Sequence, residues 1–373
     1  FHRYERVTRE DGHTVLLPWD RGEGQRWDLA PGNLFCASRT VAITAEPTAP
    51  VRIQLDRMMP PLPEPVDTPY IKHIRLKSEK LSRFWGRPVY LGAVVILPRG
   101  WAEHPKARYP LVIKHDHFAP TFARFKEESP GAEISGPQRQ ILQRAHDLYR
   151  LWTGPDFPRV ILAFIQHPTP YYDDSYGVNS PNNGPYGDAI AQELIPDIEK
   201  RFRGLGAGWA RTLYGSSTGG WTALASQVFY PDLYNGCWAA CPDSVDFRSH
   251  ILVNIYREGN MYYRQGPWMR FPIAGACDGA GNMISTIEAQ NHRELAFATR
   301  GRSGFQWDGW DAAFGPVAKD GYPRPLFDKR TGVIDSQVAL WWREHADLSH
   351  ILQRDWARIG ASLRGKIHVY VGD

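Results

Sequence analysis

The chain reads as an α/β protein. The expectation is a mostly parallel sheet with helices on both faces, a small β-rich module in front and a large insertion late in the sequence. Three observations carry this. Short apolar, β-branched runs recur from residue 89 onward, with helical periodicity between them. The first 58 residues instead alternate polar and apolar positions over short stretches. Residues 241–366 separate the last two strand-like runs, where a simple crossover takes only a few tens of residues.

In the front module, His13–Leu17 and Val51–Leu55 have the alternating pattern, with Gly, Pro and Asn between them. Residues 60–65 then hold four prolines in six positions, which neither a helix nor a central strand tolerates. This marks an extended connector and divides the chain into 1–66 and 67–373. Beyond it, Val89–Leu97, Leu111–Lys114, Val160–Ile165, Thr212–Tyr214, Cys237–Ala240 and Ile367–Val371 have the composition of central strands. Ile190, Leu194, Ile195, Ile198 and Phe202 share one helical face, and Pro196 inside that pattern predicts a kink. The insertion, about 242–365, carries Trp268, Trp307, Trp310, Trp341, Trp342 and Trp356. It reads as a lid or substrate-binding subdomain on the carboxyl edge of the sheet.

Composition narrows the function classes. With 42% hydrophobic and 23% charged residues over 373 positions, the chain can bury a large core. No apolar run approaches the roughly 18 residues of a membrane-spanning helix. A formal charge of +4 without any basic block gives no sign of a nucleic-acid partner. Four cysteines are too few for a disulfide scaffold and lack zinc-site spacing. Cys237 and Cys241, read as one strand, would stand roughly 13 Å apart, beyond the disulfide limit of about 7 Å; they read as buried free thiols. The 14 Trp and 17 Tyr suit a large core as well as stacking on flat or sugar-like ligands.

The most informative segment is Arg211–Trp221, which contains Gly215-Ser216-Ser217-Thr218-Gly219 between an apolar strand and an Ala/Leu-rich helix. A serine at such a sharp strand-to-helix turn is strained, and glycine at the flanking positions lets neighbouring backbone pass close by. The turn also sets the hydroxyl at a helix N-terminus, where the backbone dipole favours developing negative charge. Ser217, at the centre of the pattern, is the candidate nucleophile.

With this turn in place, residues from about 70 to 373 resemble the esterase family of the α/β-hydrolase fold that includes esterase D, feruloyl esterases, enterochelin esterases and the antigen 85 mycolyltransferases. Pro110–Phe118 is similar to the family's strand and oxyanion loop, Asp188–Phe202 to the helix before the nucleophile strand, and Gly215–Gly220 to its elbow with the double glycine. Thr218 stands where Met or Phe is common, which leaves the backbone N–H unaffected. The resemblance implies a serine hydrolase of carboxylic esters, with transfer to another alcohol as a variant reaction. Ser217 would attack, and the N–H of Thr218 and one from the loop around His117 would hold the oxyanion. No cofactor or metal is called for. His115-Asp116-His117 could alternatively bind zinc, but no third ligand is evident. Tyr176, Asn179 and Trp221 are candidates for lining the substrate site. The expected partner is a small-molecule or saccharide-linked ester, with no nucleic acid or membrane, and with self-association open.

In this fold the triad runs Ser, then Asp or Glu, then His. Asp373 stands at or near the acid position after the last strand, with Asp243 or Asp246 as the fallback. His167, His250, His292, His345, His350 and His368 have no comparable claim to be the base. Phe1 in place of Met and an end on a strand just reaching a turn read as a piece of a longer chain. The base is expected beyond residue 373, within about 30 to 60 residues. Two rivals remain: a prolyl oligopeptidase-like peptidase, and a binding or scaffold protein of the same fold without a working triad.

Overall fold

The computed structural model describes residues 4–18, 31–41, 50–61, 63–116, 124–169, 174–298, 301–303 and 305–372. Its centre is a seven-stranded sheet: β1 (Ile71–Lys77), β2 (Tyr90–Ile96), β3 (Leu111–His115), β4 (Ile161–Gln166), β5 (Arg211–Ser216), β6 (Cys237–Ala240) and β7 (Ile367–Tyr370). The spatial order is β7-β6-β5-β3-β4-β2-β1. Pairing is parallel from β7 to β4, whereas β2 runs antiparallel to both β4 and β1. All six strands expected from the apolar runs form. Residues 91–96 of β2 are buried without interruption, as a strand covered on both faces requires. The charged edge strand β1, with Lys72, Arg75 and Lys77, gives no such run; α1 (Glu79–Trp85) follows it.

Two apolar layers flank this sheet. On one side Ile74, Leu91, Val95, Ile113, Ile161, Leu213 and Ala239 join the main core with α5 (Thr218–Phe229) and the helix before β5. On the other, Val94, Ile96 and Trp152 pack with Leu148 and Phe164 beneath α2 (Gly136–Thr153). Cover on this second side is partial, since Tyr214, Trp238 and Tyr370 of β5, β6 and β7 remain 43%, 46% and 70% exposed.

The helix before β5 is α3 (Tyr186–Ala189), a π-turn at Ile190–Leu194, and α4 (Ile195–Phe202). The predicted irregularity thus takes the form of a wide turn ahead of Pro196, whose ring has no N–H to donate. Arg211 on β5 grips Glu199 of α4 through two bonds of 2.9 and 2.7 Å, fixing helix to strand in a buried ion pair.

The front of the chain is β-rich as expected, and its first hairpin packs into the main core. Tyr4–Thr8 and Thr14–Pro18 form a hairpin whose Val7, Val15 and Leu17 enter the main core. The Leu16 N–H donates to Tyr322 Oη at 2.9 Å, and Arg9 donates to the Asn182 carbonyl.

Within the insertion, α6 (Ile287–Phe297), α7 (Gln306–Phe314), α8 (Ser336–His345) and α9 (Leu348–Leu363) share that same core through Ile287, Trp307, Trp310, Phe314, Trp342 and Ile359. A buried ionic knot holds α6 and α7 together. Lys329 Nζ donates to Glu294 at 2.8 Å and to Asp308, with Asp311 close by. The insertion is thus built chiefly as structure; of its tryptophans only Trp268, at 95% exposure, and half-exposed Trp356 face solvent broadly.

Candidate active site

Strand β5 ends at Ser216 and α5 begins at Thr218, leaving Ser217 alone to turn the chain. Its φ of 56° and ψ of −126° lie where non-glycine residues carry on the order of 1–3 kcal/mol of strain. Surrounding backbone holds it there: Ser217 N–H donates to the Ala240 carbonyl at 3.0 Å, and the Ser217 carbonyl accepts from Trp221 N–H at 3.1 Å. The turn closes only because its neighbours lack side chains. A Cβ on Gly215 would meet the Gly219 carbonyl oxygen at 2.0 Å, and one on Gly219 would meet the His115 carbonyl oxygen at 2.2 Å. The serine side is exposed, while Thr218 and the glycines after it are buried.

Asp243, on the loop after β6, receives the serine. Ser217 Oγ donates to Oδ1 at 3.2 Å, while Oδ2 accepts Thr218 Oγ1 at 3.0 Å and Tyr176 Oη at 2.7 Å. The carboxylate thus gathers three hydroxyl donors, and among the described residues no cation pairs with it. Cys241, two residues earlier, bends the loop back with φ 43°.

Tyr176 is the hub behind this cluster. Its φ is 55° and only 1% of it is exposed. Besides donating to Asp243, its oxygen accepts from Trp310 Nε1 at 2.6 Å and from Gln306 Nε2, both on α7 of the insertion. Burial foremost, then the charge of Asp243, holds the phenol far above its ordinary range, so it remains a donor. Trp221 and Phe314 close around the ring at 5.4 and 5.0 Å between centroids.

These contacts revise several expected roles. Tyr176 and Trp221 are sealed in the core, so they back the site rather than line it. Asn179 Oδ1 accepts the Asp188 N–H at 3.0 Å and thereby braces the start of α3. Asp373 and His117 lie outside the described residues. The fallback acid Asp243 is the carboxylate in contact with Ser217, the candidate nucleophile, while Asp246 is turned to Arg248 and caps Phe247–Ser249. Cys237 is buried, but Cys241 is exposed because β6 ends at Ala240; both are free thiols.

Among the described residues no imidazole bonds Ser217 Oγ. His115 is buried with neither nitrogen hydrogen-bonded; burial, then neighbouring His167, keeps it neutral. His167 Nδ1 meets Ser175 Oγ at 2.9 Å. His250 sits in a cage of Phe247, Trp307, Trp310 and Trp342, where burial pushes its pKa down to about 3. The described residues contain no cluster of three metal-ligating side chains. Sequence reasoning missed the parts played by Gln306 and Trp310, since nothing local in the insertion marks a residue that bonds a distant tyrosine.

Residues 90–270 match the model of the family described as "Putative esterase". No curated protein gives a significant match. Among solved structures, a ferulic acid esterase is 14% identical with a TM-score of 0.36, covering 81% of this chain and 89% of its own. An S-formylglutathione hydrolase from Agrobacterium tumefaciens is 12% identical with a TM-score of 0.33, covering 80% of this chain and 84% of its own. The enterobactin esterase FES from Shigella flexneri is 18% identical with a TM-score of 0.30, covering 50% of this chain and 42% of its own. The family match spans the elbow, Tyr176 and Asp243.

Proposed function

We propose that the protein hydrolyses carboxylic esters through an acyl-enzyme on Ser217. The observation that carries this reading is the elbow itself. An exposed serine is held at positive φ between a parallel strand and the N-terminus of a buried helix, inside a segment matching an esterase family. Backbone strain of this kind clusters at functional sites, where it pre-organises the reacting group.

In the acylation step Ser217 Oγ adds to the ester carbonyl carbon as its proton passes to a general base. The C–O bond to the alcohol breaks, and the alcohol leaves with that proton. Water then adds to the acyl-enzyme, the carboxylic acid departs, and Ser217 regains its hydrogen. The Thr218 N–H, in the first turn of α5, and a backbone N–H from the loop after β3 are assigned to the oxyanion. This chemistry takes no cofactor. The substrate is a small-molecule or saccharide-linked ester.

A binding or scaffold role is the second reading, favoured by the lack of an imidazole at Ser217 among the described residues. A fluorophosphonate probe separates the two. Labelling of the wild type and its loss in Ser217→Ala, together with hydrolysis of a p-nitrophenyl ester, are the expected results. An unlabelled wild type refutes the esterase reading. Turnover of a prolyl anilide in place of the ester would point to a peptidase.

A further inference from the structure

The carboxylate beside the nucleophile bears on which esters the site accepts. Asp243 Oδ1 lies 3.2 Å from Ser217 Oγ, and its three protein partners, Ser217, Thr218 and Tyr176, are neutral hydroxyls. No Lys, Arg or His among the described residues forms an ion pair with it. The side chain is half-buried next to an exposed Ser217, so its charge is neither neutralised by protein nor fully screened by water. It is also held firmly. Tyr176, itself buried, fixes Oδ2, and Trp310 and Gln306 of the insertion fix Tyr176. Thr218 bonds the same oxygen from the first residue of α5. The Asp243 N–H donates to the Ser217 carbonyl at 3.3 Å, so the loop cannot swing the charge away without opening the elbow.

A substrate whose carbonyl carbon approaches Ser217 Oγ must bring its acyl or alcohol substituents close to this fixed negative charge. We infer that Asp243 is a specificity-determining residue that selects esters bearing a cationic group beside the scissile carbonyl and rejects those bearing a carboxylate there. This rests on the reading of Ser217 as the nucleophile. At about 5 Å and an effective dielectric between that of water and that of a protein surface, a unit charge on the substrate changes binding by roughly 4- to 250-fold.

The test uses three fluorophosphonates of equal chain length, ending in a methyl, a trimethylammonium and a carboxylate group. Second-order labelling rates at Ser217 are measured on the full chain, for wild type and Asp243→Asn, at low and high salt. The cationic probe is expected to outpace the anionic one at least about fivefold in the wild type. Salt should shrink that ratio, and Asp243→Asn should bring it close to one. The salt series needs only the wild type, so the inference stays testable even where the variant does not fold. A wild-type ratio near one overturns it, as does a ratio that survives in Asp243→Asn. A variant that slows all three probes by the same factor overturns it too, assigning Asp243 to the nucleophile instead of to substrate charge. Failure of every probe to label wild-type Ser217 sinks the nucleophile reading and this inference with it, whereas labelling at a flat ratio sinks the inference alone.

Discussion

Replacing Gly219 with alanine places one methyl group where α5 crosses the end of β3 backbone to backbone. The new Cβ would stand 2.2 Å from the His115 carbonyl oxygen, 2.6 Å from its carbon and 3.0 Å from Asp116 Cα, where ordinary contacts begin at 3.4 Å. A shortfall of about 1.2 Å must therefore be relieved, and all three atoms are backbone. Neither side yields easily. The end of β3 is bound to β5 with His115 opposite Gly215, and α5 is buried along nearly its whole length. Overpacking of this kind costs about 1–3 kcal/mol or more. Alanine returns at most about 1 kcal/mol of helix propensity, so with the overpacking cost in the upper half of its range the net loss is about 1–2 kcal/mol or more. Activity should suffer more than stability, because the displaced backbone leads into the loop after β3 on one side and carries Thr218 on the other. A misplacement near 1 Å lowers kcat by about a hundredfold. Urea unfolding by circular dichroism and p-nitrophenyl ester hydrolysis measure the two effects. Gly259→Ala, whose Cβ has nothing within 4 Å, is the control and should stay within about 0.5 kcal/mol of wild type. A Gly219→Ala protein with wild-type stability and turnover would refute the packing argument.

Two further perturbations probe the hub and the insertion. Tyr176→Phe removes the acceptor for Trp310 Nε1 and Gln306 Nε2 and one donor to Asp243; it should destabilise by about 2–3 kcal/mol in urea unfolding and slow phosphonylation of Ser217. For Asp311, burial raises the pKa to about 8 against an opposing pull from Lys329. The folded state thus holds a proton that the unfolded chain has released, and stability falls as pH rises from about 4 to about 8, by at most about 1.4 kcal/mol per unit. Asp311→Asn, whose amide oxygen can still accept the Leu326 N–H, should remove that slope from urea unfolding series taken across this range.

The parts of this protein that were legible in its sequence are those with a local cause. Tyr90–Ile96 and Ile161–Gln166 are recognisable because a strand covered on both faces has to be apolar throughout, and the elbow because only glycine at 215 and 219 permits so close a turn. Where local composition is mixed, the reading fell short. The edge strand Ile71–Lys77 presents charges to solvent, and α2 buries only one narrow stripe, with Ala145 and Trp152 inward and many polar residues elsewhere. Alternation in the front hairpin reveals a buried face without revealing that the main core is what buries it.

The site divides in the same way. Sequence alone marks Ser217 as the candidate nucleophile, since the strand, turn and helix that strain it are consecutive. Which carboxylate meets that serine was decided only by β5 pairing with β6, which sets the loop carrying Asp243 beside the elbow. Tyr176 was expected on the surface of the site, yet the insertion packs over it and turns its hydroxyl into a buried junction for Gln306 and Trp310. A side chain's intrinsic chemistry is written in the sequence, whereas its burial, its partners and the charge it faces depend on elements far away along the chain. Only the packed structure brings those elements within hydrogen-bonding distance.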